Sequence, residues 1–227
     1  MYTKEIKLLN GEVINIELSS QALENHFNIP TNCTKEILSQ FNDQNYYEKF
    51  IDKNDKIILD FGANVGLFAI HVSQWAEKIY CVEPTENHFN LLTLLTSKYS
   101  NIDRTQAAIS NKTGKEIFHM SNSNTTTNSL LVRDGASVEV NSFSMRDFAK
   151  FKGLEKIDFV KMDIEGSELI VLDHDTIDFI STHVSKILIE FHINIQQSID
   201  HFMSIFSSLG YATEQFAHDA IFCKKIN

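Results

Sequence analysis

A glycine-containing turn follows a buried apolar run at residues 60–66, which read Asp-Phe-Gly-Ala-Asn-Val-Gly. Gly62 allows close approach of the backbone and unusual dihedral angles, and Gly66 lets a helix pack tightly against the preceding strand. A dinucleotide-binding fingerprint requires G-x-G-x-x-G, but Asn64 stands at the place of its second glycine. Asn64 suits a smaller zwitterionic group, such as the amino acid end of S-adenosylmethionine.

An acidic residue closes the next predicted strand. Glu83 follows the apolar run Lys78–Val82 and stands 17 residues after Gly66. A carboxylate in this place can accept hydrogen bonds from two ribose hydroxyls, and it would repel a free 2′-phosphate. Ala107 and Ala108 close a third predicted strand and leave room for a flat adenine. Together, the turn, the acid and the small residues predict a nucleoside-containing cofactor.

Charged side chains end two further predicted strands, 157–162 and 186–191. Asp163 follows the first strand, and Glu190 and His192 lie at the end of the second. Because parallel strands end at one edge of a sheet, we expect these side chains to converge where a donor methyl would lie. His192 is the candidate base, a role that contributes ~10²–10⁴ in rate. Alternatively, Asp163, Glu190 and His192 hold a Mg²⁺ that binds the hydroxyl oxygens of the acceptor.

Three charged neighbours of Asp163 also have a purely structural interpretation. Glu165 and Glu168 stand at a predicted helix start, where the backbone dipole favours acids. Lys161 can pair with one of them.

Strands alternate with helices from Lys56 onward. The predicted strands are 56–61, 78–82, 104–109, 157–162 and 186–191, and the predicted helices are 67–75, 87–98, 167–180 and 196–209. Strands that are apolar on both faces indicate a parallel sheet covered by helices, an α/β fold. Two terminal runs, 212–216 and 220–224, are too close for a crossover helix and predict an antiparallel hairpin at the sheet edge.

Two regions interrupt this alternation. Residues 1–50 are interpreted as a small cap on a domain formed by residues 51–227. They contain a strand pattern at 12–18 and a helical pattern at 34–50. Short strands are predicted at 116–120 and 137–143. Between them, the polar residues 121–129 form either a solvated loop or a lid beside the site.

Composition excludes several classes of function. The chain has 227 residues and a net charge of -10, and this charge would repel the phosphate backbone of a nucleic acid. No apolar run of about 18 residues is present to span a membrane. The start of the sequence has no apolar secretory segment, and the three cysteines are scattered. We therefore expect a cytoplasmic protein with a small-molecule or glycan acceptor.

These motifs resemble the FkbM-type methyltransferases, a branch of the class I S-adenosylmethionine-dependent methyltransferases. The resemblance rests on residues 60–66, 83–84, 107–108, 161–168 (Lys-Met-Asp-Ile-Glu-Gly-Ser-Glu) and 190–192. It implies a Rossmann-like, seven-stranded sheet with an antiparallel last strand, and methyl transfer to a hydroxyl of a sugar or natural product. Carried onto this chain, it implies cofactor contacts by Asp60, Gly62, Asn64, Gly66, Glu83 and Ala108.

Three other functions remain open at this stage. An N-methyltransferase acting on an amino sugar or peptide would use the same scaffold and donor. A nicotinamide-dependent oxidoreductase is disfavoured by the broken dinucleotide fingerprint and by the terminal hairpin. A non-catalytic nucleotide-binding module is disfavoured by the acids and the histidine at the strand ends. The sequence leaves the oligomeric state open.

Overall fold

The computed structural model describes residues 2–7, 13–18, 47–119, 130 and 136–226. In chain order, the described strands are β1 (Tyr2–Lys7), β2 (Val13–Leu18), β3 (Ile57–Phe61), β4 (Lys78–Val82), β5 (Ile102–Thr105), β6 (Ala108–Ser110), β7 (Gly114–His119), β8 (Ser137–Ser144), β9 (Ile157–Met162), β10 (Val184–Glu190), β11 (Tyr211–Gln215) and β12 (Ala220–Lys225). The described α-helices are α1 (Leu67–Val72), α2 (Glu86–Thr96), α3 (Met145–Lys152), α4 (Glu168–Val171), α5 (His174–His183) and α6 (Ile195–Ser208).

A seven-stranded sheet in the order β11-β12-β10-β9-β3-β4-β5 forms the centre of the fold. β12 runs antiparallel to both of its neighbours, whereas the other pairs in this sheet are parallel. The predicted α/β class, the parallel sheet and the terminal antiparallel hairpin are therefore confirmed.

From β3 the chain continues to β4 and β5 on one side of the sheet, and it later returns to β9 on the other side of β3. Phe61, the last residue of β3, lies opposite Val82 of β4 and Met162 of β9. The residues that follow these three strands therefore meet at one edge. A change of direction of this kind forms the crevice in which open α/β sheets bind ligands.

Alternate residues of β3 face two separate hydrophobic cores, which explains its nearly continuous apolar sequence. Ile58 belongs to a core with Leu92 of α2. Leu59 belongs to a core on the other side, with Phe148 of α3. All four side chains are fully buried, and the sheet is therefore covered on both faces.

Two predicted elements are divided in the structure. The predicted strand 104–109 separates after Thr105, because β5 pairs with β4 while β6 pairs with β8 in a second, three-stranded sheet. The predicted helix 167–180 is two helices, α4 and α5. The Asp173 side chain accepts a hydrogen bond from Thr176 N at 2.9 Å and so begins α5 anew.

The N-terminal region is described only in part. The predicted strand at 12–18 is confirmed as β2, which pairs with β1. The predicted helix 34–50 lies largely outside the described residues, and its last three residues form a 3₁₀ turn. The loop prediction for 121–129 also lies outside them. Phe50 packs between the rings of Phe216 and Phe222, at 4.4 and 4.6 Å, so residue 50 is fixed to the terminal hairpin.

No helix in the described parts of the chain is both long enough and apolar enough to cross a membrane.

Gly62 lies against the backbone of Asp163. Its φ is +76°, and a Cβ built on it would stand 1.8 Å from the Asp163 carbonyl oxygen. Asp163 N in turn donates to Phe61 O at 3.1 Å. Only glycine therefore allows the two strand ends to come this close.

We expect Gly62→Ala to destabilise the protein by about 2–5 kcal/mol, because a left-handed alanine and a backbone overlap both cost free energy. Gly153→Ala is the matched control, since Gly153 has a φ of +69° and no neighbour within 4 Å of the added Cβ. That control should lose only about 1–2 kcal/mol. Urea unfolding measures both variants, and equal losses would contradict the proposed close contact.

Candidate active site

A cavity of about 510 Å³ opens at the carboxyl ends of β3, β4 and β9. Its wall contains most of the residues predicted to be functional: Gly62, Asn64, Glu83, Ala108, Asp163, Glu190 and His192. Two predicted cofactor contacts, Asp60 and Gly66, are not among the described lining residues. Asp60 is fully buried, and Gly66 packs against the α2 side chain Leu92. Asp60 and Gly66 thus support the cavity from behind its wall.

Both carboxylate oxygens of Glu83 accept a backbone hydrogen bond. Oε2 accepts from Asn64 N and Oε1 from Thr85 N, each at 2.9 Å. Asn64 adopts a left-handed conformation, φ +49°, in the turn from which its N–H donates. The Thr85 side chain also hydrogen-bonds to this carboxylate. Because a carboxylate has about four lone-pair sites, Glu83 can still accept a hydrogen bond from a ribose hydroxyl.

Glu83 is 5% exposed, and its burial raises its pKa to about 7, a rise that the two backbone hydrogen bonds limit. The neighbouring His88 Nδ1 lies 4.0 Å from Glu83 Oε1. Burial lowers the pKa of His88 to about 4, so this imidazole is neutral at neutral pH. Backbone N–H groups therefore stabilise the Glu83 charge.

Lys161 links the two strand ends electrostatically. Its Nζ lies 3.0 Å from Asp163 Oδ2 and 3.9 Å from Asp60 Oδ1. Although burial opposes the charge, the nearby carboxylates hold the pKa of Lys161 well above its usual value. Burial also raises the pKa of Asp60 to about 6. The ammonium thus carries a permanent positive charge beneath the site.

His192 lies among three carboxylates. Its Nδ1 is 3.0 Å from Glu168 Oε1, and its Nε2 is 3.6 Å from Asp163 Oδ1 and from Glu165 Oε2. Burial lowers the pKa of His192, but the hydrogen bond to Glu168 and the neighbouring charges outweigh it and raise the pKa to about 10. At neutral pH this imidazole already carries its proton, which disfavours the predicted role of His192 as base.

Two other acids at this end of the cavity have pKa values near neutrality. Burial, reinforced by the charge of Asp163, raises the pKa of Glu190 to about 7. Burial likewise raises the pKa of Glu165 to about 8. An ideal general base has a pKa near the working pH, so these environments favour Glu190 for proton transfer.

The chain matches the family model of the methyltransferase FkbM domain over residues 60–213. It belongs to this family. A comparison with curated protein sequences gave no match.

Several solved protein structures resemble this one at low sequence identity. A fibrillarin pre-rRNA processing protein of Methanococcus jannaschii has 13% identity and a TM-score of 0.51, over 98% of this chain and 82% of that one. An S-adenosylmethionine-dependent methyltransferase of Aquifex aeolicus has 10% identity and a TM-score of 0.43, over 91% and 97%. The TrmK protein of M. capricolum, solved with S-adenosylhomocysteine, has 15% identity and a TM-score of 0.44, over 80% and 67%. The fibrillarin likeness supports the fold alone.

In this methyltransferase, the predicted magnesium ligands only partly converge. Ligand atoms of Asp163, Glu165 and His192 all lie within 4.8 Å of one another. Glu190, which was predicted as the third ligand, is not a member of that group among the described residues. Within this group, His192 Nε2 lies 3.6 Å from an oxygen of each of the two acids.

Sequence reasoning did not assign several residues that line the methyltransferase cavity. Tyr47 comes from the segment before β3, and His218 and Asp219 come from the turn between β11 and β12. No motif marks these three. Lys161 and Glu165 also line it. Both belong to the motif at residues 161–168, in which their charges can be explained by ion pairing and by a helix start.

Affinity for S-adenosylhomocysteine should fall as the pH falls through about 7, because protonation of Glu83 removes acceptor sites for ribose hydroxyls. A site that is competent only when deprotonated predicts a roughly 10-fold gain in affinity from pH 6 to pH 8. Calorimetry measures this profile. Glu83→Gln, which does not titrate, should bind more weakly and with a flatter profile; an equally steep profile would contradict the assignment.

Proposed function

We propose that this FkbM-family protein transfers the methyl group of S-adenosylmethionine to a hydroxyl oxygen of a sugar, a glycan or a secondary metabolite. One observation carries the proposal. Glu83, a carboxylate that can still accept a hydrogen bond, shares a cavity with Glu190, a carboxyl whose pKa is near neutrality. Glu83 can accept a hydrogen bond from the ribose of the donor, and Glu190 can accept the proton that a hydroxyl must lose.

The cofactor half of the cavity fits S-adenosylmethionine. Glu83 is held by hydrogen bonds from Asn64 N and Thr85 and can still accept one from the ribose. Ala108 is small and buried at the position assigned to adenine. The Asn64 side chain is assigned to the amino acid end, and Gly62 lines the same cavity. When bound, S-adenosylmethionine supplies a methyl group on a positively charged sulfur.

Glu190, Asp163 and His192 are the proposed catalytic residues. Glu190 accepts the proton of the acceptor hydroxyl as the oxygen lone pair forms the new bond to carbon and the carbon–sulfur bond breaks. Asp163 and the charged His192 hold the acceptor in line with that bond. Alignment of the reactants supplies up to ~7–11 kcal/mol in favourable cases, so these residues act chiefly by positioning.

The acceptor is proposed to be a small molecule or glycan because the net charge of -10 opposes binding of a polyanion. The acid-rich end of the cavity could also bind an amine. N-methylation is therefore the alternative function, and the identity of the methylated product distinguishes the two. Cys81 and Cys223 are buried free thiols, which agrees with the cytoplasmic location that we propose.

The experiment that tests this function supplies methyl-labelled S-adenosylmethionine and a panel of sugars, glycans and small hydroxylated metabolites. We expect label in an ether, identified by mass spectrometry, and binding of S-adenosylhomocysteine but not of NAD by calorimetry. Label only in amines would favour the alternative, and binding of NAD alone would favour an oxidoreductase. Full activity is expected in EDTA, whereas a loss that Mg²⁺ restores would support the metal hypothesis.

We expect Glu190→Gln to reduce kcat by about 10²–10⁴-fold because the amide cannot accept the proton. Affinity for S-adenosylhomocysteine should stay close to that of the wild type. Glu77→Gln, at an exposed glutamate, is the matched control for loss of one acid. Undiminished turnover of Glu190→Gln would remove Glu190 from the proton-transfer role.

A further inference from the structure

Lys161 is a buried cation with unused hydrogen-bonding capacity. The residue is 5% exposed and lines the cavity. Its ammonium has three N–H donors. Among the described residues it donates one hydrogen bond, to Asp163 Oδ2 at 3.0 Å. Asp60 Oδ1, at 3.9 Å, attracts the charge but is too far away to accept a hydrogen bond.

An unused acceptor lines the same cavity. Asn64 Oδ1 is buried and has no hydrogen-bond partner among the described residues. A buried polar atom without a partner costs free energy, and such atoms in a site commonly await a ligand. The backbone N–H of Asn64 is already committed to Glu83. The backbone of residue 64 is therefore fixed against the carboxylate proposed to bind ribose.

The amino acid end of S-adenosylmethionine carries both complementary groups, a carboxylate that needs donors and an ammonium that needs acceptors. We infer that Lys161 binds the carboxylate of the cofactor while Asn64 Oδ1 accepts a hydrogen bond from its ammonium. Lys161 is thereby a cofactor-binding residue held in place by Asp60 and Asp163. The inference rests on the proposed function because it requires this donor.

The surroundings of Lys161 suit this role. The neighbouring carboxylates keep the ammonium charged at neutral pH, so Lys161 cannot serve as a proton acceptor. The ring of Tyr47 lies 5.7 Å from Nζ and packs edge-on against Phe68, at 5.5 Å between ring centroids. Tyr47 and Phe68 thus limit the access of water to a cation that would otherwise be solvated.

Calorimetry with two ligands tests the inference without an acceptor. S-Adenosylhomocysteine has the amino acid end, whereas 5′-methylthioadenosine shares the adenosine and sulfur but lacks that end. We expect Lys161→Met to weaken S-adenosylhomocysteine binding by about 10- to 100-fold, the scale of a charged hydrogen bond. Binding of 5′-methylthioadenosine should change by less than about 3-fold, within the scatter expected for a site outside the contact.

Lys186→Met is the matched control. Lys186 is also buried and also paired with a carboxylate, since its Nζ lies 2.9 Å from Asp55 Oδ1, but it is not among the residues that line the cavity. Its loss should leave the affinity for both ligands unchanged. The control thus separates the loss of a buried ion pair from the loss of a ligand contact.

Unchanged binding of S-adenosylhomocysteine by Lys161→Met, or an equal loss for both ligands, would overturn the inference. Failure of the wild type to bind S-adenosylhomocysteine would instead refute the proposed function. If Lys161→Met does not fold, the ammonium nitrogen resonance of Lys161 can be followed in wild type labelled with ¹⁵N-lysine. It should shift on addition of S-adenosylhomocysteine but not of 5′-methylthioadenosine, and no difference between the two would overturn the inference.

Discussion

The close contact between Gly62 and the backbone of Asp163 is the constraint on which the rest of the site depends. With a Cβ at residue 62 only 1.8 Å from the Asp163 carbonyl oxygen, no side chain fits there. The contact joins the turn after β3 to the end of β9, which carry the proposed cofactor-binding and acceptor-facing groups respectively. A single cavity therefore contains both halves of the proposed reaction.

Buried charge is the second organising feature of this family member. Lys161 lies between Asp60 and Asp163, and His192 lies between Asp163 and Glu168. Each cation is stabilised by acidic side chains that would themselves be costly to bury without a positive partner. Glu190, which lines the acceptor-facing end of the cavity with a pKa raised to about 7, can exchange a proton at neutral pH.

The sequence predicted the fold well because the fold depends on local patterns, and four of the six residues predicted to contact the cofactor line one cavity. Apolar runs ending in Gly62 or Glu83 locate strand ends, and a parallel sheet brings strand ends together. The change of sheet between Thr105 and Ala108 has no such signal, because both segments have similar strand patterns. The break before α5 depends on the helix cap formed by Asp173. Aspartate occurs in many other structural contexts, so its presence alone does not predict a new helix start.

The chemistry of His192 could not be read from the sequence because it depends on residues that converge only in three dimensions. Glu168 lies 24 positions away along the chain and contacts His192 Nδ1 at 3.0 Å. That hydrogen bond and the neighbouring acids raise the pKa of His192 to about 10, so the candidate base carries a proton at neutral pH. Tyr47 was missed for the same reason, since its place in the cavity wall follows from packing against Phe68.

The central claim is that a nucleoside lies across the ends of β3 and β4, with its sugar on Glu83 and its sulfur towards the acids after β9. A crystal structure of the complex with S-adenosylhomocysteine tests it most directly. We expect a ribose hydroxyl within hydrogen-bond distance of the Glu83 carboxylate, and the sulfur facing Asp163 and Glu190. A ribose bound away from Glu83, or a sulfur directed away from those acids, would contradict it.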